Sequence, residues 1–200
     1  MQNKPKAVFY CGTNGAGKST LRSFNRDIVQ IVIDSDHIAM EMNPIAPRLA
    51  DVEAGRKAIE LFKFAIEHKI SFSMESTLSG KSILQRMQKA KNAGFEVRLN
   101  YIGLVHADLN VARVNARVKN GGHFIDPETV RKRFKISREN LISALLIADE
   151  SFLYDNSFEV PTLMFSVENN VIYLESEERV EWGTNLLVEL QTNGFQIQSV

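Results

Sequence analysis

Short apolar runs alternate with stretches of helical spacing along most of the chain. Four apolar runs have the length and composition of buried strands, and they cover residues 7–11, 31–33, 70–74 and 97–102. Apolar residues elsewhere recur three or four positions apart, which predicts helices from Ser19 onward and over residues 50–67, 81–93 and 107–119. This alternation is typical of a three-layer α/β domain with a mainly parallel central sheet.

The last third of the chain shows a longer helical stretch followed by a return to strands. Asp126 and Pro127 have the residue types of a helix cap and a first helical position. The helical stretch is predicted to run to about Glu150, with a break near Ser137. After it, the pattern predicts a terminal strand or hairpin over residues 163–167 and 171–174, and a closing helix over residues 177–191.

Length and composition favour one domain over residues 1–200. The chain has 200 residues, of which 44% are hydrophobic, enough for a single substantial core. No run approaches the length of a membrane-spanning helix and no signal peptide is recognised, so we expect a cytoplasmic protein without a membrane partner. The single cysteine, Cys11, excludes an intramolecular disulfide and is expected to be a small buried apolar residue.

The charge is balanced overall but concentrated locally. The 24 basic and 24 acidic residues give a net charge of zero, which argues against a dedicated nucleic-acid binder. Residues 111–140, however, carry eight Lys or Arg against three acidic residues. We expect this lid segment (residues 111–140) to face phosphate groups of a small ligand rather than a duplex.

A complete phosphate-binding loop follows the first predicted strand and precedes a helix. Its glycines let successive backbone N–H groups converge on a phosphate, Lys18 supplies positive charge near the β- and γ-phosphates, and the Ser19 hydroxyl can bind Mg²⁺. The pattern predicts binding of a nucleoside triphosphate such as ATP. The residues expected to bind it are Gly12, Thr13, Asn14, Gly15, Ala16, Gly17, Lys18, Ser19 and Thr20.

Polar residues follow two other predicted strands, at the sheet edge where ligands bind in open α/β folds. A kinase needs a group that orients the acceptor hydroxyl and takes its proton, and Asp36 is the candidate for this role. Asp34 is then left for a Mg²⁺-bound water or the loop; the alternative is that both carboxylates only cap a turn. At the next strand end, we expect Glu75, Ser76 and Thr77 to bind polar atoms of the acceptor or a Mg²⁺-bound water.

The lid segment carries arginines on both sides of a glycine-containing turn. Arg117 precedes this turn, whereas Arg131 and Arg133 follow it. Arginine side chains stabilise the charge that spreads over a phosphoryl group during transfer. We therefore expect Arg117, with Arg133 or Arg131, to contact the γ-phosphate, and we expect the turn at Gly121 and Gly122 to let the segment swing.

These motifs, in this order, resemble the zeta-toxin family of P-loop kinases, especially its short, stand-alone members. The resemblance covers about residues 6–157 and includes Glu75-Ser76-Thr77 and Gly121-Gly122-His123. It implies a P-loop kinase-like fold with a helical lid and an ATP-dependent, Mg²⁺-requiring transfer to a sugar hydroxyl, in characterised members that of UDP-N-acetylglucosamine. It also implies a separate small helical antitoxin that covers the nucleotide site.

Carried over by position, the resemblance makes Asp36 the base, Lys18 the phosphate clamp, and Glu75 and Thr77 part of the acceptor pocket. Arg117 would face the γ-phosphate. Long family members have a second lid arginine where this chain has Gly121-Gly122-His123, so Arg133 or Arg131 would have to supply that charge. Two alternatives stay open: a metabolic or antibiotic-modifying small-molecule kinase, and a non-catalytic nucleotide switch that acts through a protein partner.

Overall fold

One eight-stranded sheet organises the chain. The computed structural model describes residues 4–25, 27–119, 122, 124–177 and 180–198. The strands are β1 (Lys6–Cys11), β2 (Ile31–Ile33), β3 (Phe72–Ser76), β4 (Glu96–Gly103), β5 (Glu150–Asp155), β6 (Thr162–Glu168), β7 (Val171–Leu174) and β8 (Gln196–Gln198). Their order across the sheet is β2-β3-β1-β4-β5-β6-β7-β8. The first five are parallel, β6 is antiparallel to both of its neighbours, and β8 is parallel to β7.

Helices follow most of the parallel strands and cover both faces of the sheet. They are α1 (Lys18–Asn25), α2 (Ser35–Met42), α3 (Asp51–His68), α4 (Lys81–Asn92), α5 (Ala107–Lys119), α6 (Pro127–Glu139), α7 (Leu141–Ile147) and α8 (Glu181–Thr192). A short 3-10 helix, Pro47–Ala50, leads into α3. The three-layer, mainly parallel α/β fold predicted from the sequence is confirmed.

Two apolar clusters lie on opposite faces of the sheet. The larger one joins alternate residues of the strands, such as Phe9, Phe72 and Leu99, to apolar residues of α3, α4, α7 and α8. The smaller one lies around Val8 and Tyr10, with Leu21 of α1 and Leu109 of α5. No helix in the described ranges is both long and apolar enough to cross a membrane.

Two predictions about secondary structure need correction, and one strand was not predicted. Strand β3 ends at Ser76 and not at Met74, because Glu75 and Ser76 still pair with Tyr10 and Cys11 of β1. The helical stretch after Pro127 breaks at Asn140 and ends at Ile147, so it does not reach Glu150. Residues 150–155 form a strand that pairs with β4, and their alternating burial is that of a strand with two unequal faces.

Helix α2 and strand β8 were not predicted from the sequence. The start of α2 is set by the side chain of Asp34, which accepts hydrogen bonds from the backbone N–H groups of Asp36 and His37. The predicted cap at Asp126 is confirmed, since its carboxylate accepts from the N–H of Thr129 at 2.9 Å. The hairpin of β6 and β7 and the closing helix α8 are also present.

Candidate active site

A cleft of about 560 Å³ opens at the carboxyl ends of β1, β2 and β3. Parallel strands bring their following loops to the same edge of the sheet, which gathers segments that are far apart in sequence. The predicted site residues that line the cleft are Asn14, Gly15, Lys18, Ser19, Asp36, Glu75, Ser76, Thr77, Arg117 and Arg133. The other predicted loop residues do not line the cleft: Gly12, Thr13 and Ala16 are buried, Gly17 is half-buried, and Thr20 is exposed on α1.

The phosphate-binding loop connects β1 to the first residue of α1, Lys18. Gly15 and Gly17 have φ angles of +79° and +101°, which residues with a side chain rarely adopt. A Cβ at Gly17 would lie 2.4 Å from Nδ2 of Asn156, so the loop also depends on the missing side chain. The resulting path turns the loop onto the N-terminal end of α1, where free N–H groups and the helix dipole favour an anion.

Side chains from three other elements hold this loop. Asn110 of α5 donates to the carbonyl oxygen of Asn14 at 2.8 Å, and Asn156, after β5, donates to that of Ala16 at 2.8 Å. Arg133 of α6 donates from Nη1 to Oδ1 of Asn14 at 2.9 Å. The loop is therefore fixed from outside by one predicted lid arginine and by two asparagines that no local sequence motif identifies.

A charged cluster connects α1 with the ends of β2 and β3. The Ser19 hydroxyl donates to Oε2 of Glu75 at 3.0 Å. Arg22 places Nε 2.8 Å from Oε1 of Glu75 and Nη2 3.5 Å from Oδ2 of Asp34. The contact between Nε and Oε1 is an ion pair without hydrogen-bond alignment, and within the described ranges neither atom has a hydrogen-bond partner. Arg22 was missed, although its spacing from Lys18 and Ser19 places all three on one helix face.

Burial shifts the pKa values of this cluster. It raises the pKa of Glu75, and the nearby carboxylate of Asp34 raises it further, while Lys18, Arg22 and the Ser19 hydroxyl oppose the shift. Burial also lowers the pKa of Lys18, against the attraction of Glu75 and Asp36. Its ammonium group currently donates to the carbonyl oxygen of Thr13 at 3.4 Å. A charged ligand in the cleft would change the protonation balance of both groups.

The two aspartates after β2 have different environments. Asp34 is buried, caps α2 and contacts Arg22. Asp36 lies in the first turn of α2, is exposed to the cleft, and its carboxylate makes no hydrogen bond or ion pair to any residue that the structure describes. Of the two, only Asp36 offers a carboxylate that is available to a ligand proton.

A second cavity of about 650 Å³ adjoins the cleft and shares Asn14, Ser35, Asp36 and Arg133 with it. Its other walls come from Arg48 in the 3-10 helix, from Asp51 at the start of α3, and from the residues before and in α6. Asp36 and Arg133 therefore lie at the boundary between a phosphate-loop compartment and a compartment large enough for a small molecule.

The lid arginines are placed unequally. Arg117 and Arg133 line the cleft. Arg131 points elsewhere, because it pairs with Asp108 at 2.9 Å and with Glu128 at 2.6 Å. Gly122 is described and its N–H donates to the carbonyl oxygen of Arg117, whereas Gly121 and His123 of the predicted hinge lie outside the described residues.

Ser76 and Thr77 line the cleft but also shape the loop in which they lie. The Ser76 hydroxyl accepts from the N–H of Leu78 at 3.1 Å, and the Thr77 hydroxyl is 2.7 Å from that of Ser79. Asn140, between α6 and α7, donates to the carbonyl oxygen of Leu78 at 2.9 Å. This loop is thus tied to the C-terminal end of α6.

The residues present fit a nucleoside triphosphate and its metal ion. The glycine-shaped loop leaves room for phosphates, and the Ser19 hydroxyl and Glu75 carboxylate are oxygen donors of the kind that Mg²⁺ prefers. Oε1 of Glu75 is buried and lacks a hydrogen bond to any described group, so it has capacity for a water bound to that ion. Lys18, Arg117 and Arg133 supply the positive charge that phosphates require.

A parallel sheet with this loop between its first strand and first helix defines a P-loop nucleotide-binding fold. The chain belongs to the zeta toxin family, whose model, described as Zeta toxin, matches residues 1–160. It is 67% identical over 134 residues to an uncharacterized protein of Haemophilus influenzae, a match that covers 67% of this chain and 94% of that protein.

Solved structures share the fold at low sequence identity. The AvrRxo1-ORF1:-ORF2 crystal structure with ATP has a TM-score of 0.69 and 14% identity, covering 100% of this chain and 67% of that chain. A structure from the PezAT chromosomal toxin–antitoxin system of Streptococcus pneumoniae has a TM-score of 0.59 and 17% identity, covering 96% and 86%. At such identities the likeness establishes the fold alone.

Proposed function

We propose that the protein is an ATP-dependent kinase that transfers the γ-phosphoryl group to a hydroxyl of a small acceptor. One observation carries the proposal: the carboxylate of Asp36, which is unpaired among the described residues, lies in the same cleft as Lys18, Arg117 and Arg133. A hydrolase or a nucleotide switch needs the phosphate-binding side of this cleft but not a second compartment that meets it at an available carboxylate.

The loop and α1 hold the donor side of the reaction. Backbone N–H groups of the loop and the ammonium group of Lys18 bind the β- and γ-phosphates. Ser19 and Glu75 are the residues that would hold Mg²⁺, which, when bound, neutralises phosphate charge. Arg22, which is also paired with Asp34, keeps Glu75 in place.

Asp36, Arg117 and Arg133 act on the transferred group and the acceptor. Asp36 accepts the proton of the acceptor hydroxyl as its oxygen forms a bond to the γ-phosphorus. The bond from that phosphorus to the bridging oxygen breaks, and ADP leaves with the bonding electrons. The guanidinium groups of Arg117 and Arg133 stabilise the negative charge that spreads over the γ-oxygens.

A nucleotide sugar, with UDP-N-acetylglucosamine as the first candidate, is the proposed acceptor. Membership of the zeta toxin family supports this choice, and the adjoining cavity of about 650 Å³ has the size of a small-molecule site. Glu75, Ser76 and Thr77 line the phosphate-loop cleft and are proposed to contact the part of the acceptor that reaches into it. The ATP in the AvrRxo1-ORF1:-ORF2 structure supports ATP as the donor.

We also propose that the protein is the toxin of a toxin–antitoxin pair, with a small helical antitoxin as its partner. The family and the PezAT toxin–antitoxin structure support this partner class. A partner that covers the cleft would keep nucleotide away from Lys18 and the loop.

The test is incubation of the protein with ATP, Mg²⁺ and a panel of UDP-sugars, followed by mass spectrometry. A gain of one phosphate on a UDP-sugar is the expected result. Lys18→Ala and Asp36→Asn serve as matched controls for the donor and acceptor sides. Phosphorylation of a different polyol would show that the acceptor is not a UDP-sugar. ATP binding without any transfer would overturn the kinase assignment.

A further inference from the structure

The last turn of α6 is held by an arginine that stacks on the single tryptophan of the chain. Cζ of Arg138 lies 3.5 Å from the ring centroid of Trp182 in α8. The rings of Phe134 and Tyr101 flank the same guanidinium at 5.4 and 5.8 Å. Nη2 of Arg138 also donates to the carbonyl oxygen of Leu104, just after β4, at 2.8 Å.

The stack holds the Arg138 guanidinium in one position without an ion pair from the described residues to neutralise its charge. Arg138 forms no ion pair with a described residue, and burial lowers the pKa of its guanidinium against the attraction of Asp155. The indole N–H of Trp182 donates to Oδ1 of Asp155, at the end of β5, at 2.8 Å, which fixes the ring plane. A guanidinium shielded from water over an indole face is the strongest form of the cation–π interaction.

The stack has room because Gly103, at the end of β4, has no side chain. A Cβ there would lie 2.6 Å from Cζ2 of Trp182 and 2.9 Å from Nη2 of Arg138. The backbone φ of Gly103 is not in the left-handed region, so the requirement is for space and not for conformation. Gly103→Ala would therefore separate the stack without changing either of its members.

Helix α6 connects its fixed last turn to the phosphate-binding loop through Arg133. Arg133 precedes Arg138 by five residues, about 7.5 Å along the helix axis. Ser137, one residue before Arg138, is within 3.2 Å of the Tyr101 hydroxyl, so two adjacent side chains fix the same turn to β4. From this fixed turn, Arg133 reaches Asn14 at 2.9 Å.

Trp182 belongs to a part of the chain that the family model does not cover. The matched region ends at residue 160, whereas Trp182 lies in α8, whose Leu186, Leu187 and Leu190 pack in the main apolar cluster. Helix α8 is therefore a firm support for the indole ring and not a loose appendage.

We infer that Arg138 and Trp182 are positioning residues that set helix α6, and through it Arg133, against the phosphate loop. The inference rests on the proposed phosphoryl transfer for its effect on turnover, but the position of α6 can be measured without turnover. The C-terminal part of the chain thereby becomes a component of the catalytic arrangement.

A fluorescence measurement and an amide-exchange measurement test the stack of Arg138 on Trp182, the clamp that holds α6. Because Trp182 is the only tryptophan, Arg138→Met should change the intrinsic fluorescence, whereas Lys132→Met on the exposed side of α6 should not. Trp182→Leu and Gly103→Ala should accelerate amide exchange in α6 while leaving α3 and α4 unchanged. Val188→Ala, at an exposed position of α8, is the control for a change in that helix.

Kinetics then test the positioning role. A misplaced Arg133 should lower kcat by about 10- to 100-fold in Trp182→Leu and Gly103→Ala, with the KM for ATP changing much less. Trp182→Phe keeps an aromatic face and should retain most of the activity. If Trp182→Leu does not fold, the amide exchange of α6 and the kcat of Gly103→Ala test the inference.

Unchanged α6 exchange and unchanged kcat in Gly103→Ala would overturn the inference. An inactive wild-type protein whose α6 exchange still depends on Gly103 and Trp182 would instead refute the proposed kinase function and leave the clamp in place. A uniform increase of exchange over all helices would show a general loss of stability and would also count against the clamp.

Discussion

Arg133 and Asn14 are 119 residues apart in sequence, yet Nη1 of Arg133 donates to Oδ1 of Asn14 at 2.9 Å. The contact links the lid segment directly to the phosphate-binding loop. It distinguishes Arg133 from its near neighbour Arg131, whose guanidinium is engaged by Asp108 and Glu128. The choice between these two arginines, left open by the sequence, becomes a specific expectation about function.

Arg133→Ala and Arg117→Ala should each lower kcat more than they weaken ATP binding. Both side chains line the cleft, and their interaction strengthens as charge develops on the transferred group. Arg131→Ala is the matched control and should leave kcat within about twofold, since exposed ion pairs contribute little. Steady-state kinetics with calorimetric ATP titration would check this. A harmless double substitution of Arg117 and Arg133 would leave the basic cluster as a solvated surface.

Lys18→Ala should abolish transfer while the fold is kept. The ammonium group lies against the loop and not in an apolar cluster, so its loss removes phosphate binding but little packing. Product mass spectrometry and a thermal melt would measure the two effects separately. Lys63→Ala, an exposed change on α3, should alter neither. Full activity in a folded Lys18→Ala protein would contradict the assignment of the loop.

Asp36→Asn should reduce turnover by roughly 10²- to 10⁴-fold, the usual scale for the loss of a general base. ATP affinity should barely change, because Asp36 faces the acceptor compartment as well as the cleft. Asp34→Asn makes the same chemical change two residues away, at a carboxylate that contacts Arg22. It should weaken ATP–Mg²⁺ binding more than it lowers kcat. The reverse pattern would assign the base role to Asp34.

Glu75→Gln should stabilise the nucleotide-free protein near neutral pH. Burial and Asp34 raise the pKa of Glu75 in the folded state, so folding is favoured by its protonated form. The free energy of unfolding falls as the pH rises from the ordinary pKa of a glutamate to the raised pKa of Glu75 in the folded protein. Glutamine does not ionise, so the variant keeps this stability. Thermal melts as a function of pH should show the gain at neutral pH and its disappearance in acid. A gain that grows toward low pH would reverse the sign of the argument.

Nucleotide should protect the lid segment from amide exchange. Arg117 and Arg133 are near the same cleft, and without phosphates their charges repel each other across it. Residues 113–119 and 127–133 should exchange more slowly when ATP and Mg²⁺ are added, and Lys18→Ala should remove the effect. Equal exchange with and without nucleotide would exclude closure of this segment.

Strong local motifs made much of this structure predictable. The phosphate-binding loop, β1, β2, β4 and α5 could be read from residues that are adjacent in sequence, because strand composition and glycine spacing act locally. Strand β5 at residues 150–155 was not predicted, because the strand state of this mixed segment depends on pairing with β4 and β6. Propensity alone does not contain that tertiary information.

The site was predictable in the same uneven way. Lys18 and Asp36 come shortly after strands and Glu75 lies at the end of one, so all three were expected at one edge of the sheet. Asn110 and Asn156, which hold the loop, were not expected, since their partners lie 96 and 140 residues away. Helix α2 was also missed, and with it the separation of Asp34, which caps the helix, from Asp36, which does not.

The side chain of Asn156 has a consequence for how the protein is made. It completes the support of the loop by donating to Ala16, 140 residues earlier in a chain of 200. The ribosome therefore has to synthesise Asn156 before the phosphate-binding loop can take its final shape. For the toxin function proposed above, this order of synthesis would give an antitoxin an interval in which to bind before the phosphate-binding loop has all of its supports.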